Sequence, residues 1–377
     1  MGHVGTTAVA LGALSLAGAE AGASVGSCST HTAPLAGGGF HLVDLEHRLV
    51  RYVRISLTDR CNYRCVYCMP AEGVAVAPRA DLLDFDEIER LARCFVAMGI
   101  DRIRLTGGEP LVRRGVVDVV ARLGRIDGLV DLAMTTNGHL LADLAQPLRD
   151  AGLRRLNISI DTLDGDRSAA LTRGGSLDAV LRGLEAADAA GFAATKINAV
   201  VVGDDGTTAG NVDQIAALAS FCADRGYVLR LIEFMPIGLD ARQSARTFVA
   251  ASAMRATLQD AGWSLTVDES PSDVAGGGPA RYWRGQHRDG GALRIGFITA
   301  VSDHFCATCN RVRINAVGTL RECLSTAGTL SLRDAMRAGV ADDEIAVMVR
   351  NALLGKVDGH RFTAGVRTVE SMSSIGG

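Results

Sequence analysis

Between residues 53 and 234, short apolar runs alternate with stretches of helical periodicity, and this alternation constrains the fold more than any other feature. The strand-like runs are 53–57, 102–106, 129–135, 154–160, 194–202 and 227–234; the helix-like stretches are 85–98, 112–123, 140–151, 176–190 and 211–225. Such alternation implies parallel strands joined by helical crossovers. A partial barrel and an open doubly wound sheet share that signature. The period-2 reading separates them. Arg54 and Ser56 share one face of their strand, as do Arg102, Arg104 and Thr106, then Asn157, Ser159 and Asp161, then Lys196 and Asn198. A sheet covered by helices on both sides is apolar on both faces. One polar face on a single strand means only a solvated edge, but on four strands it predicts a polar lumen. The expected fold is therefore α/β, a partial TIM-type barrel of about six βα units.

Directly after the first strand comes Ser56-Leu57-Thr58-Asp59-Arg60-Cys61-Asn62-Tyr63-Arg64-Cys65-Val66-Tyr67-Cys68-Met69-Pro70. Cys-x3-Cys-x2-Cys wraps three thiolates around one corner of an iron–sulfur cube, which normally takes four. The fourth iron is left for an exogenous ligand, the mark of a site that does chemistry. The competing reading is a zinc knuckle, but zinc wants a closed tetrahedron and this loop holds no His or fourth Cys. A second triplet, Cys306-x2-Cys309-x13-Cys323, follows two further strand-like runs at 263–267 and 292–298. His304 beside it would complete a Cys3His zinc site, so zinc and a second open cluster both remain readings of this segment.

Composition narrows the rest. Six of the nine cysteines fall in the two triplets, which is no disulfide framework in a 377-residue chain and implies a reducing cytoplasm. The net charge of −3 argues against electrostatic binding to nucleic acid. Residues 1–41 are rich in Ala, Gly, Ser and Thr and read as a disordered extension; their mildly apolar stretch lacks a preceding positive charge and is too short to span a membrane. Only two lysines occur, Lys196 and Lys356. Arg54, Arg104 and Lys196 face one way and suit a polyanion such as a triphosphate. Helices are expected at 248–261, 331–338 and 342–354, with a loop at 270–280 containing Gly276, Gly277 and Gly278. The organisation predicted is a barrel at 42–236 and a C-terminal α+β extension at 237–377 that closes it.

Four segments in combination carry a resemblance. They are Thr58-Asp59-Arg60-Cys61-Asn62 with Cys65 and Cys68; Thr106-Gly107-Gly108-Glu109-Pro110; Cys306-x2-Cys309-Asn310-Arg311-Val312-Arg313 with Cys323; and the final Gly376-Gly377. Together they resemble the GTP 3′,8-cyclase family of radical S-adenosylmethionine (SAM) enzymes, over about residues 42–377. That family takes the first step of molybdenum cofactor biosynthesis. The resemblance implies two [4Fe-4S] clusters, on Cys61, Cys65 and Cys68 and on Cys306, Cys309 and Cys323. The first cleaves SAM reductively; the radical takes H3′ from GTP and the C3′ radical attacks guanine C8, giving (8S)-3′,8-cyclo-7,8-dihydroguanosine 5′-triphosphate. Tyr67, Gly108, Ser159 and Met235 would contact SAM, and Glu109 would accept from its ammonium. Arg54, Arg104, Thr135, Lys196, Arg311, Val312 and Arg313 would contact GTP, with the second cluster on the guanine edge. Arg230, Gly376 and Gly377 would assist turnover. The implied partners are GTP, an external one-electron donor and the next enzyme of molybdopterin synthesis, and a homodimer is compatible with the resemblance. The runner-up is a two-cluster radical SAM enzyme acting on a peptide, for which a basic lumen is less expected.

Overall fold

The computed structural model describes residues 41–376, apart from 194, 207, 208, 239, 240, 271–277, 361 and 363–369. Residues 1–40 of the expected extension, Gly377, Gly276 and Gly277 lie outside the described residues. Six strands run parallel and in chain order: β1 (Tyr52–Ser56), β2 (Arg102–Thr106), β3 (Asp131–Thr136), β4 (Arg155–Ser159), β5 (Lys196–Val201) and β6 (Val228–Glu233). The crossovers are α1 (Phe85–Ala97), α2 (Val116–Gly124), α3 (Leu141–Asp150), α4 (Gly165–Thr172) with α5 (Leu177–Ala189), and α6 (Ile215–Arg225). Helix α1 starts where Asp84 and Glu87 form a reciprocal cap, and it buries Ile88, Leu91, Ala92 and Phe95 at helical spacing. Helix α2 begins later than the expected 112. Residues Pro110–Val112 form a 3-10 turn capped by the Glu109 side chain, and Gly115 turns left-handed at φ 82°.

After β6 come α7 (Ala241–Thr247), α8 (Ala251–Asp260), β7 (Trp263–Val267), β8 (Arg281–His287), β9 (Ala292–Ile298), β10 (Arg311–Ile314), β11 (Thr319–Arg321) and β12 (Leu330–Ser331), then α9 (Leu332–Arg337), α10 (Asp342–Leu353) and α11 (Met372–Ile375). Strand β9 adds in parallel to β6, and β10 adds in parallel to β1. One twelve-stranded sheet results, in the order β12-β11-β10-β1-β2-β3-β4-β5-β6-β9-β8-β7. The extension thus closes over the barrel by lengthening it at both edges rather than by stacking a separate layer. From β10 round to β9, eight neighbouring strands run parallel, the number of a full TIM barrel. No ladder joins β9 to β10; each pairs outward with an antiparallel strand instead.

The outer face of the sheet packs on the helices through Val53, Ile55, Ile103, Leu105, Leu156, Ile158, Ile197, Leu229 and Leu231, which form one core with Phe95, Leu123, Leu148 and Leu184. Each such side chain contributes about 1.5–3 kcal/mol on burial. The inner face keeps the polar residues. Past the ends of β1 and β2 the pairing continues into the loops: Leu57 N–H donates to Thr106 O (2.9 Å), Gly108 N–H to Thr58 O (2.7 Å) and Glu109 N–H to Arg60 O (2.8 Å). The cysteine loop is thereby fastened to residues 107–109. A Cβ on Gly108 would sit 2.3 Å from Arg60 O, and one on Gly107 would sit 2.5 Å from Thr58 O. The close approach that demands these glycines is to the cysteine loop's own backbone. Gly108→Ala is expected to destabilise the fold by about 1–3 kcal/mol through overpacking. A lowered thermal unfolding midpoint checks it; an unchanged midpoint contradicts it.

Candidate active site

The inner face encloses a cavity of about 350 Å³, and the Sγ-bearing residues of both triplets line it. At one end, the Cys61–Cys68 loop folds back so that Cys68 N–H donates to Cys65 O (2.9 Å). Burial pushes the Cys61 thiol up, the Cys65 thiol well up and the Cys68 thiol up to about 12. Three thiols in one desolvated corner become thiolates only against a cation, which is what a cluster supplies. Among the described residues, no three His, Cys, Asp or Glu side chains converge where a single ion could sit. His304 packs edge-on against His360 at 5.2 Å. A cube spreads its irons over separate corners and asks for no such convergence.

The SAM-side candidates surround the first triplet. Tyr67, Gly108, Ser159 and Met235 all line the cavity. The Tyr67 hydroxyl donates to Asp161 Oδ2 (2.5 Å), and Val200 N–H donates to Asp161 Oδ1 (2.8 Å). Glu109 is 1% exposed. Its carboxylate accepts from Thr136 Oγ1 (2.7 Å), Asn137 N–H (2.7 Å) and Leu111 N–H (3.0 Å). Burial still raises it to about 7. Met235 packs against an apolar plug of Ile237, Phe362 and Ile375.

At the other end, Cys306, Cys309 and Cys323 face the same space. Here the surroundings are cationic. Although burial opposes it, Arg311 and Lys356 hold the Cys309 thiol down at about 7. Arg311 Nη2 lies 3.7 Å and Lys356 Nζ 3.8 Å from Cys309 Sγ. Arg48, just ahead of β1, donates to Cys306 O (2.9 Å). Neither Lys356 nor Arg48 was expected from motif reading. Lys356 did leave a signal, since it is one of two lysines in the chain.

Between the triplets lie Arg54, Arg104, Thr135, Lys196, Arg230, Arg311 and Arg313. Several of the guanidiniums have neutral partners. Arg104 bonds to the Tyr52 hydroxyl and to Thr135 Oγ1 (3.3 Å), Arg230 Nε donates to Asn198 Oδ1 (2.8 Å), and Arg313 Nη1 donates to Gly376 O (2.8 Å). Burial, with Arg313 close by, drives the Arg54 guanidinium well below its usual range, and burial brings Arg230 and Arg313 down to about 10. Lys196 Nζ sits 5.7 Å from the centre of the Tyr282 ring on strand β8, a stretch for which the sequence pattern assigns no element. Val312 corrects an expectation. It is 1% exposed and packs in the hydrophobic core, because alternation along β10 sends Arg311 and Arg313 inward and Val312 outward. Gly376, at φ 73°, rests on the ends of β1 and β2, where a Cβ would meet Ser56 Oγ at 2.2 Å and Thr106 Oγ1 at 2.7 Å.

Comparison with known proteins agrees with this geometry. Residues 55–218 match the Radical SAM superfamily, and residues 227–362 match the Molybdenum Cofactor Synthesis C family. The fold resembles that of Streptococcus suis SuiB bound to S-adenosylmethionine, with a TM-score of 0.54 at 13% identity over 88% of this chain and 77% of that one. Fold and site together define a radical SAM protein with a molybdenum-cofactor-type extension. The sequence is 41% identical to a GTP 3′,8-cyclase of Pelotomaculum thermopropionicum and 44% identical to GTP 3′,8-cyclase 1 of Pseudomonas aeruginosa, each alignment covering 89% of this chain and 99% of the relative. The chain belongs to the GTP 3′,8-cyclase family.

The position of Glu109 has a pH consequence. Its folded value, about 7, lies above the ordinary carboxylate range, so the folded state holds the proton more tightly. Its contribution to stability is full below about pH 4.5 and is lost as pH rises through about 7. Glu109→Gln is expected to flatten the pH dependence of chemical unfolding in that window when SAM is absent. An identical slope in variant and parent contradicts the assignment.

Proposed function

We propose that this chain cyclises GTP to (8S)-3′,8-cyclo-7,8-dihydroguanosine 5′-triphosphate, the first step of molybdenum cofactor biosynthesis. The observation that carries the reading is that both cysteine triplets open into one cavity whose intervening wall is lined with cations. Two [4Fe-4S] clusters and SAM supply the one-electron and hydrogen-atom chemistry. The chain's own task is to hold, orient and keep dry the reacting groups.

Cys61, Cys65 and Cys68 hold the first cluster and leave one iron for SAM. Glu109 accepts from the SAM ammonium, while Tyr67, Ser159 and Met235 border its remaining groups. Gly108 supports this site indirectly, by letting the cysteine loop close. Cys306, Cys309 and Cys323 hold the second cluster against the guanine. Arg54, Arg104, Lys196, Arg311 and Arg313 neutralise the triphosphate, whose oxygens suit forked guanidiniums and a point-charge ammonium. Thr135 fixes the Arg104 fork. Arg230, held by Asn198, lines the space between the two ends, Gly376 is held by Arg313, and both assist turnover. The plug of Ile237, Phe362 and Ile375 excludes water.

The external electron donor, the enzyme that takes up the product and a homodimeric assembly belong to the same proposal. All eight cysteines among the described residues are free thiols, which supports a reducing, cytoplasmic setting. No helix among the described residues is long and apolar enough to cross a membrane.

Anaerobic incubation with GTP, SAM and reductant is expected to yield 5′-deoxyadenosine together with a cyclised nucleotide. SAM cleavage that ignores GTP would sink the reading. Lys196→Ala is expected to weaken GTP binding about tenfold or more, the loss of a charge-assisted contact of about 1.5–3 kcal/mol, with SAM binding retained. Equal loss of both ligands in equilibrium titrations counts against the role of Lys196.

A further inference from the structure

Lys356 is 5% exposed, yet it belongs to none of the groups assigned above to SAM or GTP. It follows α10, whose Ile345, Val349 and Leu353 are buried in the main core, and its own N–H donates to Leu353 O (3.0 Å). The segment is thus rigidly delivered. The ammonium has three donors, and three acceptors surround it: Glu322 O at 2.5 Å, Arg311 O at 2.9 Å and Cys309 Sγ at 3.8 Å. Glu322 immediately precedes Cys323, and Arg311 lies two residues beyond Cys309. One side chain therefore bridges the segments of two cysteines that are fourteen positions apart.

The third cysteine is tied to the same place. Arg48 donates to Cys306 O (2.9 Å), Val357 O (2.8 Å) and Asp358 O (3.1 Å), and its Nε is held by Asp44 Oδ2 (2.6 Å). All three cysteine segments of the second triplet are therefore braced on residues 356–358. The first triplet has no equivalent lysine, since the only other lysine is Lys196 on β5.

We propose that Lys356 is a positioning residue of the second triplet: it fixes the Cys309 and Cys323 segments relative to each other and sets the charge felt by a cluster held there. The inference rests on the reading of that triplet as a cluster site. A buried ammonium beside a ligating sulfur favours the more negative, reduced state of the cluster, since fixed charge and hydrogen bonds to sulfur tune such potentials.

The test uses the full chain, reconstituted anaerobically with iron and sulfide. Iron is counted, and the clusters are titrated by redox-poised electron paramagnetic resonance, the second cluster being the one whose signal GTP perturbs. The parent protein is expected to hold about eight irons. About four irons and no GTP-sensitive signal in the parent would defeat the cluster reading itself. Lys356→Met is expected either to lower the midpoint potential of the GTP-sensitive cluster or to drop iron to about four per chain. Lys356→Arg, which keeps charge and donors, is expected to restore the parent's behaviour. Should the Met variant fail to fold, Lys356→Gln carries the test, because it keeps a donor for the carbonyls but no charge; a lowered potential or lost iron supports the proposal. A parent-like potential with about eight irons in the neutral variant, or an Arg variant as impaired as the neutral one, overturns the proposal.

Discussion

Guanidinium groups repel one another, and taking them out of water removes the solvent that would screen them. This chain nevertheless places the buried Arg104, Arg230, Arg311 and Arg313 and the half-buried Arg54 around one cavity. Threonine, tyrosine, asparagine and a backbone carbonyl orient Arg104, Arg230 and Arg313 without neutralising them. Paired carboxylates do occur in the sheet, as between Arg155 and Asp131, so neutral partners are not for want of acids. A cavity wired in this way is incomplete without an anion. Under the function proposed above, a polyphosphate entering the cavity would offset that repulsion.

The sheet converts this local condition into a two-ended reaction chamber. Strand β1 carries Arg54 and leads directly into the first cysteine triplet, while β10, its parallel neighbour, carries Arg311 and Arg313 and directly follows Cys306 and Cys309 of the second. In-register pairing sets Arg313 opposite Arg54. The two sulfur triads are hundreds of residues apart in the chain, but the strands attached to them are adjacent. Backbone hydrogen bonding therefore determines the span available to substrate between them. Among the described residues the sheet stays open between β9 and β10, and Gly376 rests on the ends of β1 and β2.

Most of this was legible in the sequence where the signal was periodic or local. The polar faces at Arg54, Arg104, Asn157 and Lys196 follow from alternation alone, and the six inner strands appear close to where the apolar runs put them. What escaped had identifiable causes. Strand β8, Arg-Tyr-Trp-Arg-Gly-Gln-His, has a glycine at its centre and little apolar alternation, because it flanks the sheet and gains its pairing from β7 and β9. Val312 was carried along with its motif neighbours although the same alternation rule turns it outward. Lys356 and Arg48 act on partners 34 to 310 positions away, which no local pattern encodes. That a side chain at Gly108 would meet the cysteine loop's own backbone is a long-range contact no local pattern encodes.

Strands β9 and β10, which complete the walls, both arise from the last third of the chain. A growing polypeptide can assemble β1 to β6 while its leading cysteine loop is already outside the ribosome. That loop then waits through the synthesis of more than two hundred further residues before its chamber has walls, a delay of tens of seconds at ordinary elongation rates. During that interval the first three thiols lack the walls that β9 and β10 later supply. Delivery of iron and sulfide to this chain is therefore best timed after release, and oxidative damage during slow translation should fall first on Cys61, Cys65 and Cys68.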